Sequence, residues 1–257
     1  MGSPVIPERR WTGRRGLLRL LEELAEPGRC LRTAYRSPQD LRGESAGLAR
    51  SLDAAVETAR RWGTGLAVFH GLTETTAVVP PFPLEAGGDY EGLNDGPLRS
   101  LLSEEPTVAV VLLRLGRYAV GLFHGEGLRA SKSGGRYVKG RHRAGGQSQG
   151  RFQRGREGQA RHLYDRACQD AQRTLEPFAR DIRWVLLGGD AHVLRGFLER
   201  CAFLETLPVL GRRLDVRRPG MAGLEEAGAQ LWRGRLFLYR EGHAERTDGS
   251  PAGQGRT

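Results

Sequence analysis

The chain has 257 residues and carries 40 Lys and Arg against 30 Asp and Glu, a formal net charge of +10. Its 39% hydrophobic content is enough for a sizeable core, which excludes wholesale disorder. The longest purely apolar run, residues 108–113, is far too short to span a bilayer. Because the start of the sequence also lacks a signal-peptide pattern, we expect a cytoplasmic protein with no membrane partner.

The cysteines and histidines give no sign of a metal site. Cys30, Cys168 and Cys201 show no CxxC spacing, and the six histidines show neither HxxxH nor HExxH spacing. We therefore predict no structural zinc, no disulfide framework and a reducing compartment. The glycine-rich run GGRYVKGRHRAGG lacks the GK[ST] of a phosphate-binding loop, which argues against ATP or GTP binding.

The positive charge is concentrated in one stretch. Residues 129–162 contain ten basic side chains and one acidic side chain, Glu157, so this window carries +9 of the total +10. Such a concentration is typical of a surface that meets phosphate groups, and it favours a nucleic-acid partner.

The first part of the chain reads as a small α/β unit. Residues 1–16, rich in Arg, Gly and Pro, are expected to be disordered, and residues 17–96 are expected to form this unit and a linker. Within it the periodicity predicts, in order, helices over 17–25 and about 39–62, a strand pair over 65–71 and 75–80, and a Pro- and Gly-rich connection over 80–96.

A second unit is expected over residues 97–241, followed by a disordered tail, 242–257. In chain order the predicted elements are a helix over 97–103, paired strands over 107–115 and 117–125, short strands over 128–134 and 135–140, a helix over 148–176, a strand over 182–189, a helix over 191–201, a strand over 214–217 and a helix from about 221. In the long helix, which Pro177 ends, Phe152, Ala160, Leu163, Ala167 and Ala171 share an apolar face. Asp190 is expected to be only a helix cap.

The tripeptide Gly145, Gly146 and Gln147 lies at the tip of the basic connection between a strand and this long helix. Glycines let the backbone approach another molecule closely, and the following helix points its positive end at the same place. An amide does not titrate, so Gln147 could only hold a water molecule and offer a backbone N–H to an oxyanion. From these residues alone, a flexible loop bearing a solvated charge run remains an alternative.

The surrounding sequence, KGRHRAGGQSQGRFQRGRE, resembles the GGQ loop of the eukaryotic and archaeal class I peptide-chain release factors and of their Vms-type relatives. The residues that carry the resemblance are Lys139, His142, Gly145, Gly146, Gln147, Ser148, Arg151, Phe152 and Arg154. It extends over roughly half the chain and implies the middle-domain fold of those factors, a mixed α/β sheet related to the ribonuclease H-like fold. No NIKS-like motif occurs in the first hundred residues, so we expect codon-independent activity rather than stop-codon reading.

The resemblance implies hydrolysis of the ester between a nascent peptide and P-site tRNA, on the large subunit of stalled or split ribosomes. Gly145 and Gly146 would admit the loop to the peptidyl-transferase centre, and Gln147 would orient the water. Neither a metal nor a cofactor is implied. The residues expected to bind ribosomal RNA or tRNA are Lys139, Arg141, His142, Arg143, Ser148, Arg151 and Arg154.

Two other functions fit the same sequence. One is a nuclease acting near the tRNA 3′ end, and the other is a non-catalytic ribosome- or tRNA-binding factor with a role in hibernation or rescue. Nothing near Gln147 offers the metal ligands or the acid–base pair common in RNA cleavage, so ester hydrolysis is the preferred interpretation.

Overall fold

The computed structural model describes residues 6–43, 47–135 and 148–240, with the backbone only for residues 148–157. The strands are β1 (Glu8–Thr12), β2 (Arg32–Arg36), β3 (Leu66–His70), β4 (Glu74–Val79), β5 (Gly88–Glu91), β6 (Thr107–Arg114), β7 (Arg117–His124), β8 (Gly127–Gly135), β9 (Ile182–Gly189), β10 (Val209–Leu214) and β11 (Gly234–Arg240). The α-helices are α1 (Arg14–Leu24), α2 (Asp53–Trp62), α3 (Gly96–Ser103), α4 (Ser148–Leu175), α5 (Ala191–Leu198), α6 (Ala202–Glu205) and α7 (Met221–Leu231).

The strands form two sheets. The first has the order β1-β11-β4-β3-β2-β5 and is antiparallel throughout. The second has the order β10-β9-β6-β7-β8, in which β6, β9 and β10 are parallel and β7 and β8 run antiparallel to their neighbours. The second sheet is therefore mixed, with helices on both faces, and the predicted mixed α/β fold class is confirmed.

Three clusters of buried side chains hold these layers together. One lies between the two sheets and combines residues of both with residues of α1, α3 and α7. A second fills the other face of the second sheet beneath α4, α5 and α6, and a third fills the other face of the first sheet beneath α2. The two sheets share a core, so each sheet depends on the other for burial of one face.

Several predicted elements are confirmed. They are α1, the pair β3 and β4, α3, the hairpin of β6 and β7, strand β8, the long helix α4, strand β9 and the helix that begins at Met221. The hairpin turns at Gly116, whose φ of 95° is readily adopted only by glycine. On α4, Leu163, Ala167 and Ala171 are buried and Ala160 packs against them, as the apolar spacing predicts. The side chain of Phe152 lies outside the described residues.

The expected disorder of residues 1–16 is wrong for residues 8–16, which form β1 and the start of α1. The sequence Glu8–Thr12 looks solvated because β1 is an edge strand that is held through backbone pairing with β11. The expected linker over 80–96 is also wrong in part, because Phe82 and Leu84 are buried and β5 pairs with β2.

Some boundaries differ from the prediction. The helix expected over 39–62 reduces to α2 and two short 3-10 helices, Asp40–Arg42 and Arg50–Leu52. The strand expected over 214–217 lies earlier, as β10, and the helix expected over 191–201 ends at Leu198. Residues 97–241 were expected to form one unit, but β11 leaves it and pairs between β1 and β4 of the first sheet. Residues 1–5 and the tail from residue 241 lie outside the described residues.

The expectation of no disulfide is wrong, because Cys168 of α4 and Cys201, just before α6, are bonded to each other. They are 33 residues apart in sequence and meet because α4 packs on α5, which cysteine spacing alone does not reveal. Cys30 is the free cysteine. Asp190 occupies the N-cap position of α5 without a side-chain capping bond, and it pairs instead with Arg114 at 3.1 Å.

Candidate functional site

Most of the predicted site residues fall in residues 136–147, between β8 and α4, and lie outside the described residues. These are Lys139, Arg141, His142, Arg143, Gly145, Gly146 and Gln147. Ser148, Arg151 and Arg154 belong to the first two turns of α4, where the structure describes the backbone alone. The structure therefore describes the two elements that flank this segment, β8 and α4, which we call the frame.

The frame consists of an edge strand and the longest helix. Among the strands that the structure describes, β8 is the outermost of the second sheet and pairs with β7 alone, up to Gly135. Helix α4 begins at Ser148 and packs on β7 and β8 through its later turns. Residues 136–147 therefore follow the edge strand of the second sheet and precede its longest helix.

Two glycines fix the end of β8. A Cβ atom on Gly134 would lie 2.3 Å from the Tyr118 hydroxyl oxygen, and one on Gly135 would lie 2.8 Å from the carbonyl oxygen of Gly116. Either contact is too close for any side chain, so glycine alone permits this approach of β8 to β7. The end of β8, which residues 136–147 follow, is therefore fixed in position.

A buried hydrogen bond joins the same place to α4. The Tyr118 hydroxyl donates to Oδ2 of Asp170 at 2.5 Å, and the two residues are 2% and 3% exposed. Burial, together with the carboxylate, raises the pKa of Tyr118 to about 12, so the phenol keeps its proton at neutral pH. Nε of Arg166 lies 3.9 Å from the same Asp170 oxygen. Strand β7 and helix α4 are thus held together next to Gly134.

This anchor is far from the start of the helix. Asp170 follows Ser148 by 22 positions, which corresponds to about 33 Å along a straight α-helix. Gly134 contacts Tyr118, and Tyr118 binds Asp170. The end of β8 therefore lies about 33 Å from the first turn of α4. The 12 intervening residues are long enough to join these two points, since a chain of that length reaches about 40 Å. The N-terminal turns of α4, with Arg151 and Arg154, therefore lie well away from the anchored core.

The described part of the frame has exposed basic side chains on β8, and two acids of α4, Asp165 and Asp170, are bound to other residues. Arg129 and Lys132 of β8 are exposed, and neither forms an ion pair with a residue that the structure describes. Lys132 is paired with Val120 and so lies on the α4 face of the sheet. On α4 itself, Asp165 binds the guanidinium of Arg200 and Asp170 accepts the bond from Tyr118. The uncompensated positive charge is what a phosphate-rich partner would meet.

Among the residues that the structure describes, no group of three or more His, Cys, Asp or Glu could hold a metal ion. Within the same ranges, no helix is both long and apolar enough to cross a membrane. Neither the Tyr118–Asp170 pair nor the role of Gly134 and Gly135 was predicted from the sequence. Two features of the sequence could have indicated them. One is the Gly134–Gly135 pair at the end of a predicted strand, and the other is the position of Asp170 among apolar residues of α4.

The class of protein follows from similarity to a known family. Residues 106–237 match the family model described as the Actinobacteria/chloroflexi VLRF1 release factor. This range covers half of the sequence, from the start of the second sheet into β11, and includes the GGQ tripeptide. The chain belongs to this release factor family.

Curated relatives agree with the family. The chain is 30% identical over 103 residues to peptide chain release factor subunit 1 of Archaeoglobus fulgidus and 29% identical over 103 residues to that of Methanopyrus kandleri. Each match covers 40% of this chain and 25% of the relative, so the chain spans about a quarter of the length of these relatives.

Two solved structures are more distantly similar to this chain. The archaeal translation termination factor aRF1 aligns with a TM-score of 0.40 at 20% identity, over 86% of this chain and 73% of that one. Pelota of Archaeoglobus fulgidus aligns with a TM-score of 0.29 at 11% identity, over 90% of this chain and 64% of that one.

Proposed function

We propose that this protein is a codon-independent peptidyl-tRNA hydrolase that frees nascent chains on stalled or split ribosomes in the cytoplasm. The observation that carries the proposal is the Gly145, Gly146 and Gln147 tripeptide, which lies inside the region matched by the release factor family. The anchored end of β8 and the long helix α4 support it, because they flank the basic residues 136–147 and the first turns of α4 lie well away from the anchored core.

The reaction is hydrolysis of the ester between the peptide and the terminal ribose of tRNA. Water adds to the ester carbonyl carbon, the bond from that carbon to the ribose oxygen breaks, and the ribose oxygen takes up a proton. The products are a peptide with a free carboxylate and a deacylated tRNA. Gln147 would hold the water by its side chain and offer its backbone N–H to the developing oxyanion, while proton transfer would fall to the tRNA and ribosomal RNA.

The basic residues would bind RNA. Arg141, Arg143, Arg151 and Arg154 would contact phosphates of ribosomal RNA and P-site tRNA, together with Lys139 and Ser148, and His142 or Tyr137 would stack on a base. The exposed Arg129 and Lys132 at the edge of the second sheet would extend this surface on the described part of the frame. The large ribosomal subunit is the expected partner.

The decisive experiment compares Gln147→Ala with Gln149→Ala, a change of the same residue type two positions further on. Loss of one positioning group should lower the rate of peptide release from stalled large-subunit complexes by roughly 10²–10³-fold, with binding changed only a few-fold. The Gln149 variant should release peptide at nearly the normal rate. Full release by the Gln147 variant would contradict the catalytic assignment.

The products separate this function from the alternatives. An esterase leaves a tRNA whose terminal CCA is intact and can be recharged, whereas a nuclease leaves shortened tRNA. A binding factor leaves peptidyl-tRNA unchanged while occupying the ribosome. Sequencing of tRNA 3′ ends during release therefore tests the proposal: loss of CCA nucleotides in step with release would contradict it, as would binding without any product.

A further inference from the structure

Four side chains form a continuous stack of rings and guanidinium groups at one side of the first sheet. The Trp11 and Trp62 rings lie 5.4 Å apart at an angle of 17°. The Arg235 guanidinium lies over Trp11 at 4.7 Å, and that of Arg212 lies over Trp62 at 5.6 Å. Guanidinium groups are attracted to aromatic faces, so an arginine at each end of the pair of rings is favourable, in the order Arg235, Trp11, Trp62, Arg212.

The inner half of the stack is fixed in the core. Arg212 is 2% exposed and donates to the backbone carbonyls of Gln230, Leu231 and Arg233, at the C-terminal end of α7, at 2.5 to 3.2 Å. These carbonyls carry the negative end of the helix dipole, which explains how a buried guanidinium is held without a carboxylate. Trp62 is 5% exposed. The inner half therefore has a structural role.

The outer half reaches solvent. Trp11 is 53% exposed although it lies on an ordered strand, and Arg235 beside it is half-buried. An exposed tryptophan that is preorganised by a second ring, rather than buried by its own fold, is unusual for structural packing alone. It is the arrangement expected where another planar group binds.

The arginines on this face lack acidic partners, whereas those on the opposite face have them. Arg9 lies over the Phe237 ring at 5.7 Å, and neither Arg9 nor Arg235 forms an ion pair with a residue that the structure describes. Burial, and then the charge of Arg9, lowers the pKa of Arg235. On the other face of the same two strands, Arg10 pairs with Glu8 at 3.2 Å and Arg240 with Glu74 at 2.8 Å.

We propose that Arg9, Trp11 and Arg235 form a second RNA-binding surface, on which an unpaired base stacks on the Arg235 guanidinium that Trp11 supports and a phosphate binds Arg9. Uncompensated guanidinium groups are complementary to phosphates, and a guanidinium plane supported by an indole is complementary to a base. An acidic protein would match the charges and leave the planar stack without a counterpart. RNA is thus favoured over a protein partner.

This surface lies on the β10 side of the second sheet, away from the end of β8. Arg212 of the stack belongs to β10, and Gly211 of the same strand lies against the carbonyl oxygen of Arg61, next to Trp62. β10 and β8 are the two opposite edges of the second sheet. Four strand spacings separate them, about 19 Å. RNA bound at the stack would therefore meet the protein at a second point, away from the end of β8.

The test measures binding of a fluorescein-labelled, single-stranded RNA 12-mer of mixed sequence to the full chain by fluorescence anisotropy. Trp11→Ala should weaken binding by about tenfold, since the ring that holds the Arg235 guanidinium in place for the base is removed. Arg235→Lys, which keeps the charge but removes the plane, should weaken it several-fold. Tyr90→Ala, which removes a 39% exposed ring from the opposite edge strand of the same sheet, should have little effect.

The contribution of charge is tested by two variants of neighbouring arginines on β1. Arg9→Glu should weaken binding strongly, whereas Arg10→Glu, with the same charge change on the opposite face, should change it less than twofold. Equal losses from both would contradict the proposal and indicate bulk charge. Unchanged binding in the Trp11 variant, or equal competition by polyglutamate and by unlabelled RNA, would also contradict it. The assay is independent of Gln147, so its failure would leave the proposed hydrolysis untouched.

Discussion

Tyr118 and Asp170 join two elements through a hydrogen bond that is buried at the point where β8 ends. Tyr118→Phe leaves the Asp170 carboxylate in the core without this donor. Because an unsatisfied buried polar group costs about 1–3 kcal/mol, we expect the free energy of unfolding at pH 7 to fall by about that amount. Tyr164→Phe is the control, since the Tyr164 hydroxyl lies in the same cluster and makes no hydrogen bond with a described residue. Urea denaturation of the three proteins measures the difference, and equal stability of both variants would contradict it.

The same pair makes stability depend on pH at the alkaline end. The folded-state pKa of Tyr118 is about 12, above the ordinary value of about 10. Between these values the unfolded chain loses the phenol proton while the folded chain keeps it, so the stabilisation is complete below pH 10 and is lost as the pH rises toward 12. We expect Tyr118→Phe to show a shallower loss of stability over this range. Denaturation midpoints from pH 9 to 12 test this, and parallel curves would contradict it.

The connection between β8 and α4 lies within residues 129–162, which carry +9 of the formal net charge of +10. Reversing Arg141 and Arg143 to Glu should weaken binding to large ribosomal subunits and reduce the slope of log affinity against log salt by about two, one for each phosphate that is no longer neutralised. Reversing Arg173 and Arg180, two exposed arginines near the other end of α4, makes the same charge change at a distant place. Equal effects of the two double reversals in a salt titration would contradict a localised RNA-binding surface.

Helix α4 is tied to the segment before α6 by the bond between Cys168 and Cys201. Opening a closed loop of 33 residues in the unfolded chain corresponds to about 3–4 kcal/mol, so reduction or Cys168→Ser should lower the melting temperature. Alkylation gives a direct check. The denatured, unreduced protein should take up one iodoacetamide adduct, on Cys30, and three after reduction. Three adducts without a reductant would contradict the bond.

Elements with strong periodicity could be predicted from the sequence, and those that depend on remote partners could not. Strands β6 and β7 are continuous apolar runs around a glycine turn, and α4 carries a regular apolar face. By contrast, β1 is rich in arginine and exposed along most of its length, and only its backbone pairing with β11 makes it a strand. The GGQ tripeptide was identified from its letters and context, but Tyr118 and Asp170 are 52 residues apart and meet only in the fold.

The two sheets are coupled across the whole molecule. Strand β11 comes last in the described chain yet lies between β1 and β4, so the first sheet is completed by residues that follow the second. The core between the sheets combines Tyr35 and Phe69 of the first with Val110 and Leu186 of the second. The first sheet and the shared core thus both contain residues from before and after residues 80–96. The chain is therefore expected to fold as one cooperative unit.

A fragment of residues 1–105 tests this coupling, because it contains five strands of the first sheet without β11. Its β1 would have no partner, β4 would expose an unpaired edge, and the apolar face that includes Tyr35 and Phe69 would lose its cover. We expect a poorly dispersed NMR spectrum and no cooperative denaturation. In the full chain, hydrogen exchange should show that the amides of β3 and of β9 lose protection at the same urea concentration. A well-dispersed spectrum of the fragment, or separate transitions for the two strands, would show that the first sheet folds independently.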